Sequence, residues 1–247
     1  MLIDLNCDMG EGMRHDAELM PLVSSANIAC GFHAGDEDTM RRTIELALQH
    51  NVAIGAHPGF PDREHFGRTE MDFPEEDIIS IVSEQVYQLL DLVFAMGGKL
   101  KHVKPHGALY NMSSRNYSLA AAIAKAVFEI DEQLVLFGLS GSESIRAAKD
   151  IGLHTANEVF ADRTYQDDGS LTPRKQANAL ITNDETAAQQ VLQMILTNEV
   201  TSVTGKNIPI VCDTICVHGD GEHAVSFARQ INQLLQKHQI DLRSFHP

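Results

Sequence analysis

Apolar positions along this chain follow two alternating patterns. Short runs of small or branched residues end in polar turns, and longer runs repeat apolar residues on one helical face. Leu2 to Asn6 alternates apolar and polar, and Asp8-Met9-Gly10-Glu11-Gly12 closes it with acidic turn chemistry. A first strand therefore delivers Asn6 and Asp8 to its end. Asp16 to Val23 predicts a short helix. The stretch Ala26 to Asp36 starts small and apolar, as a buried strand does, and Gly31 and Gly35 then bracket Phe32, His33 and Ala34. Asp36 stands at the mouth of an amphipathic helix predicted over Asp38 to His50. Val52 to Ala56 predicts another strand, ending at His57-Pro58-Gly59 before the charged loop Phe60 to Thr69. Pro74 opens the longest helix, to about Met96, with Glu75, Glu76 and Asp77 suiting its positive end.

Leu100 to Gly107 reads as a strand running into a Pro/Gly turn, followed by a helix near Ser118 to Glu129 and a strand from Leu134 to Gly138. Ser140 to Glu143 caps a helix ending near Ile151. A strand near His154 to Phe160 then leads into the polar loop Ala161 to Arg174 and a helix from Asn183 to Thr197. Ile208 to Val217 is strand-like, broken by Asp213, and ends at His218-Gly219-Asp220-Gly221 before a last helix from Glu222 to His238. Strand, polar loop and helix thus recur about seven times, which implies parallel pairing. A single α/β domain follows, a (β/α) barrel of about seven strands with its closure left open. A doubly wound sheet is the second arrangement, disfavoured because no GxGxxG follows the first strand.

Composition narrows the class. The chain has 247 residues, 43% of them hydrophobic, so it can bury a sizeable core, and no linker divides it. A formal charge of -15 argues against nucleic acid or an anionic membrane as partner. Asp4 interrupts what would be a signal core, and no long uncharged apolar run is evident. Cys7, Cys30, Cys212 and Cys216 lack CxxC spacing, so reduced thiols and a cytoplasmic location are expected.

Parallel strands open all their C-terminal ends on one face, and that face collects the candidate chemistry. Asn6, Asp8, His33, Asp36, His57, Lys104, His106, Asp162, Arg163, His218 and Asp220 come from separate strand ends. Taken singly, His33 reads equally well as a hydrogen-bonded core histidine, and His57 as a turn cap. His102, Lys104 and His106 share strand parity and should face one way. A lysine inside the barrel needs an anion, either a carboxylate such as Asp8 or a bound substrate anion. His102 and His106 are HxxxH-spaced, but on a strand that separates them by ~13 Å. A metal on His33, His57 and Asp8 is sterically possible, though no spacing specifies it. Gly138 to Ser142 lies between a strand and a helix and offers backbone N–H groups to an anion, yet no Gly-Lys-Ser/Thr follows.

Asp4-Leu5-Asn6, Ala26 to Asp36, Gly55 to Pro58, Val103 to Asn111, Glu158 to Arg163 and His218-Gly219-Asp220 together resemble the LamB/YcsF family. Cys7 and Met9 stand where Ala and Leu are more usual, both apolar changes. The resemblance implies a seven-stranded barrel-like fold similar to glycoside hydrolases and polysaccharide deacetylases. It also implies ATP-dependent opening of 5-oxoproline to L-glutamate, with ADP and phosphate released, in a 5-oxoprolinase with two partner subunits, B and C. With no recognisable nucleotide loop here, those partners would supply phosphorylation. On this reading Lys104 and Arg163 hold a carboxylate or phosphate, and Asp8, His33 or His57 serves as general base. His106 or His218 is the acid, while Asn6, Asp36, Asp162 and Asp220 contact substrate. Two alternatives stand beside it: a metal-dependent amidase or deacetylase acting alone, and a non-catalytic subunit that binds a small acid.

Overall fold

The computed structural model describes residues 1–217, 219 and 224–246. Its strands and helices alternate from β1 (Leu2–Met9), α1 (Asp16–Leu19) and β2 (Ser25–Ala29) to α2 (Glu37–His50), β3 (Ala53–His57), α3 (Glu75–Ala95) and β4 (Leu100–Val103). Then come α4 (Gly107–Ser113), α5 (Tyr117–Ile130), β5 (Val135–Leu139), α6 (Glu143–Ile151) and β6 (His154–Phe160). The chain continues through α7 (Asp184–Thr197), β7 (Glu199–Thr201), β8 (Asn207–Pro209), β9 (Thr214–Val217), α8 (Ala224–Lys237) and β10 (Asp241–Leu242). Strands β1 to β6 pair in order, β6 pairs β9, and β9 returns to β1, all in parallel. Seven strands therefore close a barrel, and the doubly wound alternative falls away. β10 adds only Leu2↔Asp241 and Ile3↔Leu242 to the outer edge of β1.

Local chemistry sets the elements. Asp36, Asn116 and Asn183 each accept a hydrogen bond from a backbone N–H of the first turn of α2, α5 and α7, satisfying an otherwise orphaned donor. Asn51 ends α2 in the left-handed conformation. α3 is long and apolar enough to cross a membrane by length and composition. Here Ile78, Val82, Val86, Leu89 and Val93 are buried, and the helix packs on α5 and α2.

Alternation sorts each strand's two faces. Ile3, Leu5, Cys7 and Met9 of β1 and Ile215 and Val217 of β9 join the main core, which lies between the strands and the helices. The opposite parity points inward: Asp4, Asn6, Ser25, Asn27, His102 and Thr214 are all buried. Val135, Phe137 and Ala156 form a small separate apolar cluster with Phe245 against it.

Three elements differ from expectation. Ile208 to Val217 is not one strand. Pro209 and Asp213 divide it, so β8 turns back antiparallel on β7 while β9 alone enters the barrel. Asp213 accepts from the backbone and side-chain N–H groups of Asn157, which ties the join to β6. Gly107 to Ser113 forms a helix rather than a turn. Asp16 to Val23 holds one α-helical turn, and Pro21 carries the rest as a 3-10 turn.

Candidate functional site

The barrel interior carries a continuous polar column. At its lower end the Asp4 carboxylate accepts from Ser24 Oγ at 2.6 Å, Ser25 Oγ at 2.7 Å and the Thr214 hydroxyl. Above it Asn6 Nδ2 donates to Thr214 Oγ1 at 2.7 Å, and Asn6 Oδ1 accepts from Asn27 Nδ2 at 2.8 Å. Asn27 also donates to Asp8 Oδ1 at 2.8 Å, and its Oδ1 lies 2.7 Å from His102 Nε2. His102 stacks on Phe137 with centroids 4.2 Å apart. Burial and the charge of Lys104 push the His102 imidazole down to about 3, so it is a neutral donor.

Lys104 lies at the top of this column. Its Nζ is 2.9 Å from Asp8 Oδ1, 2.7 Å from Glu158 Oε1, 3.2 Å from Asn6 Oδ1 and 3.2 Å from Cys216 Sγ. Burial alone would lower the lysine's pKa, but Asp8 and Glu158 hold it charged, well above its ordinary value. Burial would likewise raise Asp8, yet His57 and Lys104 keep its carboxyl well below the usual range. The expectation that His102 and Lys104 share the inner face holds, and Asp8 is the anion expected for Lys104. Glu158, fully buried, is a second one that sequence reasoning missed as a site residue.

Beside Asp8 four side chains converge at the mouth. His57 Nδ1 lies 2.7 Å from the Lys104 carbonyl, and His106 Nε2 lies 2.9 Å from the Phe66 carbonyl. A carbonyl only accepts, so both of these nitrogens carry hydrogen. The opposite nitrogens, His57 Nε2 and His106 Nδ1, face each other at 2.9 Å. Glu11 Oε1 is 3.3 Å from His106 Nδ1, 3.8 Å from His57 Nε2 and 3.4 Å from His33 Nε2. His33 stacks flat on His106, with centroids 3.8 Å apart and planes at 5°. Among the described residues neither ring nitrogen of His33, nor Glu11 Oε1, makes a hydrogen bond. Burial pushes His33 and His106 down to about 3, with the charge of His57 adding to it. Burial opposes protonation of His57 as well, but Asp8 outweighs it and raises that ring. Glu11 is raised by burial and by Asp8.

The loop from Phe60 to Thr69 builds the wall of this cluster. Arg63 donates to the carbonyls of Gly31 and Gly35 at 2.6 Å each, fixing the turn that carries His33. Gly67 has φ +65°, and a Cβ there would lie 2.8 Å from His33 Cβ and 2.9 Å from His106 Cδ2. Only glycine lets this backbone lie so close to both rings.

A cleft of about 830 Å³ opens above. Asp8, Glu11, His57, Lys104 and His106 line its floor, and Arg68, Arg115, Arg163, Arg174 and Lys175 line its walls. Several expected contributors stand elsewhere. Asn6 is wholly buried beneath Asp8 and braces the column rather than facing the cleft. Asp36 is exposed and caps α2, accepting from Thr39 N at 2.8 Å, because a short acidic side chain before a helix satisfies its own first turn. Asp162 is not among the residues lining the cleft. Arg163 reaches the cleft wall but is bonded to the carbonyls of Ala179 and Thr172. Asp220 and His218 lie outside the described residues. In the Gly138 to Ser142 loop the turn spends its donors within the protein: Ser140, Gly141 and Ser142 N–H bond to Glu158 O, Asn157 Oδ1 and Leu139 O. Glu11 was legible only as one more acid in a glycine turn. Its signal is its place between Gly10 and Gly12, both at positive φ, three residues after Asp8.

The LamB/YcsF family model matches residues 3–247. The chain belongs to the LamB/YcsF family. It is 53% identical over 247 residues to the A subunit of 5-oxoprolinase from Tolumonas auensis, covering 98% of each chain. The lactam utilization protein from Thermus thermophilus superposes with a TM-score of 0.94 at 40% identity, covering 99% of this chain and 100% of that one. A peptidoglycan N-acetylglucosamine deacetylase domain from Eubacterium rectale matches at a TM-score of 0.53 and 13% identity, over 99% and 88% of the two chains, a likeness of fold alone. In this LamB/YcsF chain the segments that carry the resemblance supply Asp8's strand, His33, His57, Lys104, His106 and Glu158.

Proposed function

We propose that this LamB/YcsF protein is the ring-opening subunit of an ATP-dependent 5-oxoprolinase, working in the cytoplasm with partner subunits B and C to convert 5-oxoproline to L-glutamate. The relative from Tolumonas auensis supports the substrate, and its being one subunit of a larger enzyme supports the existence of partners. The observation that carries the site's part is Asp8, held ionised between Lys104 and His57 beside Glu11 on the floor of the cleft.

A five-membered lactam is a stable amide, so its carbonyl carbon needs activation. Transfer of the terminal phosphoryl group of ATP to the lactam oxygen, performed with the partners, makes that carbon electrophilic and releases ADP. One water then adds to the carbon as the ring C–N bond breaks, leaving an acyl phosphate, and a second water releases phosphate. The cluster of Glu11, His33, His57 and His106 takes a proton from the attacking water and returns it to the ring nitrogen. Lys104, already neutralised by Asp8 and Glu158, fixes the Asp8 charge rather than gripping the substrate. The substrate's own negative charges meet the arginines and lysine of the cleft wall, in a chain whose overall charge is -15.

The test is glutamate formation from 5-oxoproline and ATP, with this chain alone and then with B and C added. Turnover should need all three. Asp8→Asn and Glu11→Gln should each abolish it while leaving the fold intact, and near-normal turnover in both would sink the proposal.

A further inference from the structure

We infer that Glu11, His57 and His106 form a binding site for one divalent transition-metal ion, with His33 placed against a water on that ion. Each of the two histidines donates its far N–H to a backbone carbonyl, of Lys104 and of Phe66. That is how metal-bound imidazoles are held in one tautomer and one orientation. It leaves His57 Nε2 and His106 Nδ1 as facing lone pairs 2.9 Å apart, which repel unless a cation lies against both. Glu11 Oε1 adds a carboxylate oxygen, and one ligand atom from each of Glu11, His33, His57 and His106 falls within 4.8 Å of all the others. Ligand atoms about 2.1 Å from a shared ion lie about 3 to 3.5 Å apart, close to the spacings found here.

A proton on His57 is the competing cation. It would satisfy the His57–His106 contact, but it would leave Glu11 Oε1 and both nitrogens of His33 without partners in a buried pocket. Unpaired buried polar atoms are costly, and several converging on one point call for a ligand there. His33 itself is not a direct ligand alongside His106. Two rings stacked at 5° cannot both aim in-plane lone pairs at one ion. His33 therefore serves the ion's water, and one coordination position stays open toward the cleft, as catalytic sites require. Two imidazoles and one carboxylate suit zinc, cobalt or manganese rather than magnesium or calcium, which prefer all-oxygen sets. Such an ion would polarise the water that the ring opening consumes, and with Glu11, His57 and His106 held as ligands it is His33 that would take that water's proton. The site stands on geometry alone, and only that catalytic use rests on the proposed function.

The experiment is calorimetric titration of the chelator-treated full chain with Zn²⁺ and Mn²⁺, together with the visible absorption of its Co²⁺ form. One ion per chain is expected. Glu11→Gln and His106→Ala each remove a direct ligand and should weaken binding by at least the roughly 10–100-fold that loss of an outer partner of a ligand costs. If His106→Ala fails to fold, the Co²⁺ spectrum of the wild type decides: a low-coordinate nitrogen/oxygen spectrum supports the site, and that of aqueous Co²⁺ overturns it. Absence of stoichiometric binding, or unchanged affinity in Glu11→Gln, also overturns it. Binding without any effect of metal removal on glutamate formation would keep the site and reject its catalytic use.

Discussion

Lys104→Met reads the centre of the site directly. Methionine keeps the length of the stem and removes the charge, so Glu158 and Asp8 lose the ammonium that lies 2.7 Å and 2.9 Å from them. Glu158 is fully buried, and water cannot replace the lost partner. Breaking a buried ion pair from one side costs about 3–5 kcal/mol. Against a total stability of about 5–15 kcal/mol, that loss is severe but survivable. The orphaned carboxylate causes most of the damage, so neutralising it should restore much of the loss. Lys104→Met/Glu158→Gln should therefore be more stable than the sum of the single changes by about 1–3 kcal/mol. Denaturant midpoints of the wild type, both singles and the double give this coupling, provided the slopes agree. Additivity to within about 0.5 kcal/mol would refute the picture of one shared charge cluster. In Lys104→Met and in the double variant ring opening should be lost, because Asp8 no longer has the ammonium that pins it.

Other changes probe other layers. Gly55→Ala puts a Cβ 2.1 Å from His102 Nε2, so the ring must leave Asn27; a drop in thermal midpoint with loss of activity is expected, and a wild-type melt refutes it. Gly67→Ala should disturb His33 and His106 while the barrel still melts cooperatively, read as lost turnover with retained circular dichroism. Asp36→Ala should lower thermal stability slightly through the lost cap and leave turnover unchanged; lost turnover would return Asp36 to the site. Burial raises the Asp4 carboxyl above its ordinary 3.8, while three hydroxyls and nearby Glu158 modify the shift. Below that ordinary value both folded and unfolded chains are protonated, and stability falls as pH rises from it through the folded value. Asp4→Asn cannot titrate, so its stability relative to wild type should improve in thermal melts as pH rises from the ordinary carboxyl value of 3.8.

Much of the frame was legible because periodicity and caps are local. Alternation in Leu2 to Asn6 marks which residues face inward, and Asp36 and Asn183 announce helix starts through their short polar side chains. What escaped depends on contacts made across the barrel. Nothing near Glu158 in sequence says that Lys104 will meet it, because the pairing spans β4 and β6. Asn6 and Asp8 share a face, yet Asn6 ends beneath the floor while Asp8 forms it. That difference is depth along the barrel axis, which a strand pattern does not encode. Glu11 escaped for a related reason: its glycine-flanked turn leaves the strand direction, so strand parity is silent about where the carboxylate points.

The barrel interior carries the functional argument furthest. A purely structural barrel fills its interior with branched apolar side chains, because each charge placed there must be matched. This one places Asp4, Asn6, Asn27, His102, Lys104, Asp8 and Glu158 in a single bonded column. Its apolar burial lies instead mainly in the outer layer between strands and helices. Such a column adds little net stability, since desolvation offsets most of the attraction between its charges. Its effect is to prevent movement: Asp8 is bonded by Asn27 and Lys104, which are bonded in turn by His102 and Glu158. The result is a carboxylate with one fixed position and one fixed charge, placed beside Glu11, His57 and His106 on the cleft floor, with His33 stacked on His106. A reaction that needs water aimed at a single carbonyl carbon requires that fixity, and loosening the column at Asn27 should lower turnover before it lowers stability.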